Sequence, residues 1–539
     1  MTLPRSAVVF RVDASTRMGT GHVHRCLTLA TELAARGMES HFIHRLLDGH
    51  MADVIRSRGY VVHELPRPLR SAVIADGDYH GWAGVSEEDD ADATLSFLPS
   101  LGAVQLVVDH YGLGKAWEAR VRSAVERVVV IDDLANREHD CDVLLDQNYF
   151  EDAAARYAGL IPAHCQRLCG PQFALLAPEY AAARAFVRPR RGPVTRVLIF
   201  YGGSDPADLT LHSLSLLSEP EFSHLAVDVV VGRNYTNCDE LRILASARGQ
   251  TTIHRGLPSL LPLMIQANLA IGAGGITTWE RCCAGLPALV TAIAANQIGP
   301  SEALHSVGGC ALVGTVPEFG KSALHLSGAL SAALRSLINN PSRLADIAEI
   351  GWNLGGGQGA STVAELLLPS ELQTLRLRAA RPNDCRQYWR WANDPAVRAA
   401  SLNEHFIDWH AHQDWFTRRL NSPDSVLWVL ETPRGVPLGQ FRVDVADARG
   451  RINYSVDGIF RGRGLGATLL RDGGVRWLQS YPGIPLFAHV RSENVASARA
   501  FHSSRLFEQI TTSSGILADG YDFSLRDHHA PQPDEAAPC

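Results

Sequence analysis

The sequence predicts an α/β protein of two doubly wound, Rossmann-like lobes followed by a smaller α+β domain. Three observations point there. The first third alternates short Val/Ile/Leu-rich runs with helical stretches. A second array of the same kind follows a Pro/Arg/Gly-rich stretch. The last part contains runs that alternate apolar with polar residues, as antiparallel strands do. The chain of 539 residues is long enough for three or four cores at ~150 residues per domain.

In the first array the strand-like runs are AVVFRV (Ala7–Val12), VQLVVD (Val104–Asp109), RVVVID (Arg127–Asp132) and DVLLDQ (Asp142–Gln147). They are apolar without alternation, the pattern of parallel strands covered on both faces. HRCLTLATELAARG reads as one of the helices between them. FVRPRRGPVTR (Phe186–Arg196) reads as a linker. RVLIFYGGSDP, LAVDVVVG, LAIGAGG and PALVTAI then form the second array, each run followed by glycine or a polar turn. Near Leu372 the pattern changes: VLWVLE, GQFRVDVAD and RINYSV alternate, and RGRGLGATLL with a helix comes next. The tail HHAPQPDEAAPC is rich in Pro and acid and reads as disordered. The expected domains are residues 1–188, 195–368 and 372–527, with a tail over 528–539.

Lysine plus arginine total 50 and aspartate plus glutamate 57, a net charge of −7. This mild acidity gives no reason to expect nucleic acid or an anionic membrane as partner. Any phosphate must be held by local features. The ten cysteines show no paired metal-ligand spacing, so no metal is expected. Free thiols in a reducing cytoplasm fit this usage. The start lacks a leader pattern and no run approaches ~18 apolar residues. A soluble, cytoplasmic protein is the expectation, and the oligomeric state is unreadable.

The first chemical motif is Gly19-Thr20-Gly21-His22, between the run Ala7–Val12 and a helix. A dinucleotide fingerprint would continue with glycine where His24 stands. The turn still lets backbone N–H groups approach a ligand. At a helix N-terminus the dipole disfavours imidazolium, so His22 suits a general base. A histidine that caps its own helix is the alternative. Two further glycine turns, YGGSDP (Tyr201–Pro206) and GAGGITTWE (Gly272–Glu280), follow strands and precede helices. Such turns bind a diphosphate without a basic surface. Glu280, one turn into its helix, could accept from ribose hydroxyls or serve the helix dipole. Finally, Arg461-Gly462-Arg463-Gly464-Leu465-Gly466 follows a strand-like run and opens a helix, a second pyrophosphate-cradling turn. Asn494 and Ser497 stand where a later helix begins.

These stretches are recognisable. RVDASTRMGTGHVHRCLTLA, VVDHYGL, VIDDLANREHDCDVLLDQNY, YGGSDP and GAGGITTWERCCAGLPALVTAIAANQ resemble the UDP-sugar hydrolases of pseudaminic acid synthesis over the first ~365 residues. The resemblance implies a glycosyltransferase-B-like pair of lobes around a cleft. It implies hydrolysis of UDP-2,4-diacetamido-2,4,6-trideoxy-β-L-altropyranose by water attack at the anomeric carbon, with C–O cleavage, inversion and no metal. His22 is then the base, beside Gly19 and Gly21. Gly203, Ser204, Gly274, Gly275 and Thr277 would hold the diphosphate and Glu280 the ribose. Asn234, Asn296 and Gln297 are further contacts to nucleotide or sugar. Ile276 stands where the family pattern has a small hydroxyl residue.

The last ~155 residues resemble GCN5-related N-acetyltransferases (GNAT). RGRGLG matches their acetyl-CoA loop, Asn494 with Ser497 a later motif, and WRWANDPAVRAAS (Trp389–Ser401) the start of sugar-amine acetyltransferases. Acetyl-CoA is the implied cosubstrate, bound by Arg461, Gly462, Arg463, Gly464, Leu465, Gly466, Asn494 and Ser497. Where many members carry a tyrosine acid this chain has Phe501, then His502. The pairing implies a bifunctional enzyme that N-acetylates the 4-amino group of a UDP-linked amino sugar and then releases the sugar from UDP. The alternatives are a UDP-sugar-dependent glycosyltransferase, and a C-terminal domain that only binds or braces.

Overall fold

The computed structural model describes residues 7–68, 79–203, 205–232, 235–316, 324–368, 375–401, 403–510 and 520–525. The chain divides into two compact units, Met1–Ala364 and Glu365–Cys539. No helix among the described residues is long and apolar enough to cross a membrane.

The first unit holds two parallel sheets. Strands β1 (Ala7–Val12), β2 (Glu39–Arg45), β3 (Val61–Leu65), β4 (Ala103–Asp109), β5 (Arg127–Ile131), β6 (Val143–Asp146) and β7 (Gln166–Cys169) are ordered 3-2-1-4-5-6-7. Strands β8 (Arg196–Phe200), β9 (Ala226–Val231), β10 (Thr251–Arg255), β11 (Leu269–Ala273), β12 (Ala288–Ala292) and β13 (Ala311–Thr315) are ordered 10-9-8-11-12-13. Both orders reverse beside the first strand, between β1 and β4 and between β8 and β11. Ligands of such sheets sit outside the carboxyl ends of the strands at that reversal. These are two Rossmann-like lobes.

The strands are apolar because both faces are covered. Val9, Val108, Val130 and Leu144 share one core with Trp117, while Val197, Val229, Ile271 and Leu289 form another with Leu334 and Leu344. One buried residue of β1 breaks the pattern. The guanidinium of Arg11 is wholly enclosed, bonded to Asp13 at 2.7 Å and to Asp90 at 2.7 Å. Asp90 also accepts from Arg45 Nη2 at 2.6 Å and from the Trp117 indole at 3.0 Å. A charge without water must be paired and hydrogen-bonded, and this pairing ties the ends of β1 and β2 to the helix Glu87–Leu95.

The segment expected as a linker is docked. Arg190 donates to the carbonyls of Ala267 (2.8 Å), Met264 (2.7 Å) and Ile265 (2.9 Å), and Val187 joins the second lobe's core. Arginine satisfies several helix-end and loop carbonyls at once, so a Pro/Arg-rich stretch need not be loose.

The second unit carries a seven-stranded sheet: β14 (Arg376–Ala379), β15 (Ser425–Glu431), β16 (Pro437–Ala446), β17 (Arg449–Val456), β18 (Leu486–Arg491), β19 (Phe507–Ile510) and β20 (Gly520–Leu525), ordered 14-15-16-17-18-20-19. All pairings are antiparallel except β17 with β18, which is parallel and spans only Gly450↔Leu486 and Arg451↔Phe487. Beyond those two pairs the strands part.

Candidate active sites

Four strands of the first sheet end in, or run into, aspartate: Asp13 after β1, Asp109 in β4, Asp132 and Asp133 after β5, and Asp146 in β6. Their carboxylates gather at the carboxyl edge, where β1 hands over to the helix Gly21–Ala34. That helix has no side-chain cap at Thr20, so its first amides are not satisfied by Thr20. His22 lies in its first turn, 7% exposed. Its Nδ1 is 2.6 Å from Asp109 Oδ1. A carboxylate this close takes the Nδ1 proton as its hydrogen bond, which leaves Nε2 with the lone pair.

Arg25, three residues on, shares the helix face with His22. Its Nε and Nη2 each lie 2.6 Å from the Asp109 carboxylate and its Nη1 lies 2.7 Å from Asp133. Burial alone would raise the Asp109 carboxyl; Arg25 and His22 overturn this and hold it well below the usual carboxylate range. Asp109 is therefore an anion that fixes the imidazole without competing for its proton. Tyr111 donates to Asp133 and meets the His22 ring edge-on, centroids 4.6 Å apart. Burial, then Asp133, push the Tyr111 phenol far up, so it stays protonated.

In the second lobe, Gly203 and Gly232 follow β8 and β9. A Cβ on Gly232 would sit 1.8 Å from the Gly203 carbonyl oxygen, so the two loops touch through backbone alone. After β11, the Gly274 N–H donates to Gln297 Oε1 at 3.2 Å, and the Ile293 N–H donates to the same oxygen at 3.1 Å. Gln297 thus braces two loops through one atom. Thr277 opens the helix Thr277–Cys283 and its hydroxyl accepts from Arg281 at 3.3 Å. Burial pushes the Glu280 carboxyl up to about 7, with the Tyr180 hydroxyl donating to it in opposition. The helix Leu209–Leu217 is already served: Asp205 accepts from the amides of Leu209 (3.1 Å) and Thr210 (2.7 Å).

The lobes meet at these sites. Asn296 Nδ2 donates to the Tyr111 hydroxyl at 3.4 Å, and a Cβ on Gly203 would lie 3.8 Å from Thr20 Oγ1. The Gly203 turn therefore faces the start of the His22 helix.

In the second unit the loop after β17 has Gly462 and Gly464 at φ +80° and +74°, with open space where side chains would be. Left-handed backbone at these positions suits glycine and turns successive N–H groups to one side. Arg461 pairs with Asp394 at 2.8 Å and Arg463 donates to the Leu366 carbonyl at 2.7 Å. Leu465 begins the helix Leu465–Ser480 and is buried. Gly466 packs against Ala500. Asn494 caps the helix Val495–Ser504, its Oδ1 accepting from the Ser497 amide at 3.0 Å.

Residues 374–505 match the family model of the acetyltransferase (GNAT) domain. The C-terminal unit carries a GNAT domain. The first half of the chain is similar to the UDP-2,4-diacetamido-2,4,6-trideoxy-β-L-altropyranose hydrolase of Campylobacter jejuni, with 24% identity over 264 residues, 49% of this chain and 83% of that protein. The spore coat polysaccharide biosynthesis protein SpsG of Bacillus subtilis is 28% identical over 134 residues, 25% of this chain and 39% of its own. The crystal structure of Acinetobacter baumannii MurG aligns over 67% of this chain and 99% of its own, at 13% identity and a TM-score of 0.44.

The structure brings His22, Gly19 and Gly21 to one strand end, and Gly203, Gly274, Gly275, Thr277, Asn296 and Gln297 to the lobe opposite. Ser204 and Asn234 lie outside the described residues. In the GNAT domain Arg461, Arg463 and Asn494 spend donors or acceptors on the protein, and so position the loop and helix. Asp109, Arg25, Tyr111 and Asp133 were not singled out from sequence. Their signal was present: aspartate at the end of successive Val-rich runs, and arginine one helical turn after His22.

Proposed function

We propose that the first unit hydrolyses a UDP-linked 2,4-diacetamido sugar, as the Campylobacter jejuni relative's name describes for that protein. One observation carries this: His22, oriented by a buried anionic Asp109, stands across from glycine turns of the nucleotide-binding type. His22 Nε2 takes a proton from water as the water oxygen attacks C1 from the face opposite UDP. The C1–O bond breaks, configuration inverts, and the diphosphate leaves with the bonding electrons. N–H groups around Gly203, Gly274 and Gly275, with the hydroxyls of Ser204 and Thr277, stabilise that charge. Glu280 accepts from the ribose. Asn234, Asn296 and Gln297 complete the nucleotide and sugar contacts. The imidazolium is held by Asp109 until it returns its proton to solvent.

The GNAT domain transfers acetyl from acetyl-CoA to the 4-amino group of the precursor UDP-sugar, the loop Arg461–Gly466 receiving the pyrophosphate and Asn494 and Ser497 the opposite helix end. Both steps would belong to pseudaminic acid synthesis in the cytoplasm, with no metal, nucleic acid or membrane involved.

The test is the purified chain with the UDP-diacetamido sugar in ¹⁸O-water and no acceptor, followed by NMR. UDP release with the label in the sugar supports hydrolysis. UDP release only on adding a second sugar assigns a glycosyltransferase instead. His22→Ala lowers kcat by about 10²–10⁴-fold, the usual range for a lost general base, while UDP affinity is retained. Unchanged turnover removes His22 from the mechanism.

A further inference from the structure

Phe501 occupies the position where a GNAT tyrosine acid is expected, and it is sealed. It is 1% exposed, stacked at 4.5 Å on Phe523 and edge-on to Phe507 at 5.2 Å. Its ring packs the core and has no proton to give.

A phenol reaches the same place from the neighbouring strand. Tyr454 lies on β17, three residues past Arg451, the last residue that pairs with β18. Its ring meets Phe501 edge-on at 5.8 Å. Its hydroxyl is 3.0 Å from Ser497 Oγ. A Cβ added to Gly466 would lie 4.0 Å from that same hydroxyl oxygen. Ser497 is in the first turn of the helix Val495–Ser504 and Gly466 in the first turn of Leu465–Ser480. The parting of β17 from β18 and both helix starts therefore converge on one hydroxyl. Burial pushes the phenol above its ordinary range, and Ser497 only partly opposes this. At neutral pH Tyr454 is a proton donor.

We propose that Tyr454 gives the proton taken up by the departing thiolate of CoA, in place of the missing tyrosine at position 501. This rests on the acetyl-transfer reading above. The amine lone pair attacks the thioester carbonyl, the C–N bond forms and the C–S bond breaks. The sulfur leaves with the bonding electrons and takes the Tyr454 proton, giving the free thiol. The nitrogen sheds its surplus proton to solvent. The tyrosinate regains one through the Ser497 hydroxyl. No oxidant or further reactant is needed.

The test uses the full chain with acetyl-CoA and the 4-amino UDP-sugar, reading thiol release, with acetyl-CoA binding measured by calorimetry. Tyr454→Phe keeps the ring and removes only the hydroxyl. The expected result is a kcat lowered by about 10²-fold or more, with KM and Kd for acetyl-CoA near wild type. Wild-type kcat in Tyr454→Phe overturns the role and leaves the acetyl-transfer reading intact. Failure of Tyr454→Phe to bind acetyl-CoA passes the question to Ser497→Ala, which keeps the phenol and removes the hydroxyl that resupplies it. Lowered kcat at saturating acetyl-CoA there supports the role, and unchanged kcat overturns it. A wild-type chain that binds acetyl-CoA yet transfers no acetyl overturns the acetyl-transfer reading and this role together.

Discussion

His22 Nδ1 and Asp109 Oδ1 meet at 2.6 Å although 87 residues separate them in the chain. The contact joins the first turn of a helix to the end of a parallel strand, across the point where the sheet order reverses. It determines which imidazole nitrogen is basic. Because Asp109 also receives two bonds from Arg25, the imidazole, its orienting anion and a buried cation form one unit.

Asp109→Asn tests that unit. The amide keeps the shape but cannot hold the Nδ1 proton in the same way, and kcat falls on the order of 10²–10⁴-fold, as when an orienting carboxylate is lost from a triad. Arg25 retains Asp133 alone, and the fold loses about 3 kcal/mol, as expected when one partner of a buried ion pair is removed. Steady-state kinetics and urea titration measure the two effects separately.

Gly232→Ala tests the backbone contact between the loops after β8 and β9. A methyl group 1.8 Å from the Gly203 carbonyl oxygen cannot be accommodated without moving the loop. Destabilisation of about 1–3 kcal/mol, the range for overpacking, accompanies weaker UDP binding in calorimetry. Native UDP affinity in this variant removes Gly203 from the nucleotide site.

Acid stability follows from Asp90. Burial would raise its carboxyl, but Arg11 outweighs burial and lowers it to about 2, against roughly 3.9 for a free aspartate. A folded value below the unfolded one stabilises the protein above pH 4, and the benefit is lost as pH falls toward 2. The difference is worth about 2–3 kcal/mol. Chemical denaturation at pH 5, 4, 3 and 2 shows this slope, and Asp90→Asn flattens it at the cost of a weaker fold throughout.

The ribose contact proposed for Glu280 gives nucleotide binding a pH dependence of the same sense but at higher pH. With its carboxyl raised to about 7 by burial, the ionised form that accepts from ribose hydroxyls becomes scarcer by about tenfold per pH unit below that value. UDP affinity therefore rises between pH 6 and pH 8. Glu280→Gln, which cannot ionise, shows no such rise when titrated by calorimetry across that range.

Much of this protein is legible without coordinates. Short unbroken Val/Ile/Leu runs bounded by turns and alternating with helical stretches read as strands covered on both faces, so two parallel sheets follow from β1, β4, β5, β8 and β11. Glycine turns at the ends of such runs are where the phosphate contacts are proposed, and His22 is conspicuous because a titratable ring stands in one of them. These are local properties: burial on two faces and left-handed or close-approach backbone leave marks within a few residues. The tertiary fold alone decided that Asp109, Arg25 and Asp133 gather around His22, that Asn296 reaches Tyr111, and that the Pro/Arg-rich segment is pinned by Arg190. It also decided that the phenol of Tyr454 arrives beside Phe501. Side chains at strand ends are brought together by sheet order, and sheet order depends on which strands pair, a choice made by packing over the whole chain rather than by any stretch of it.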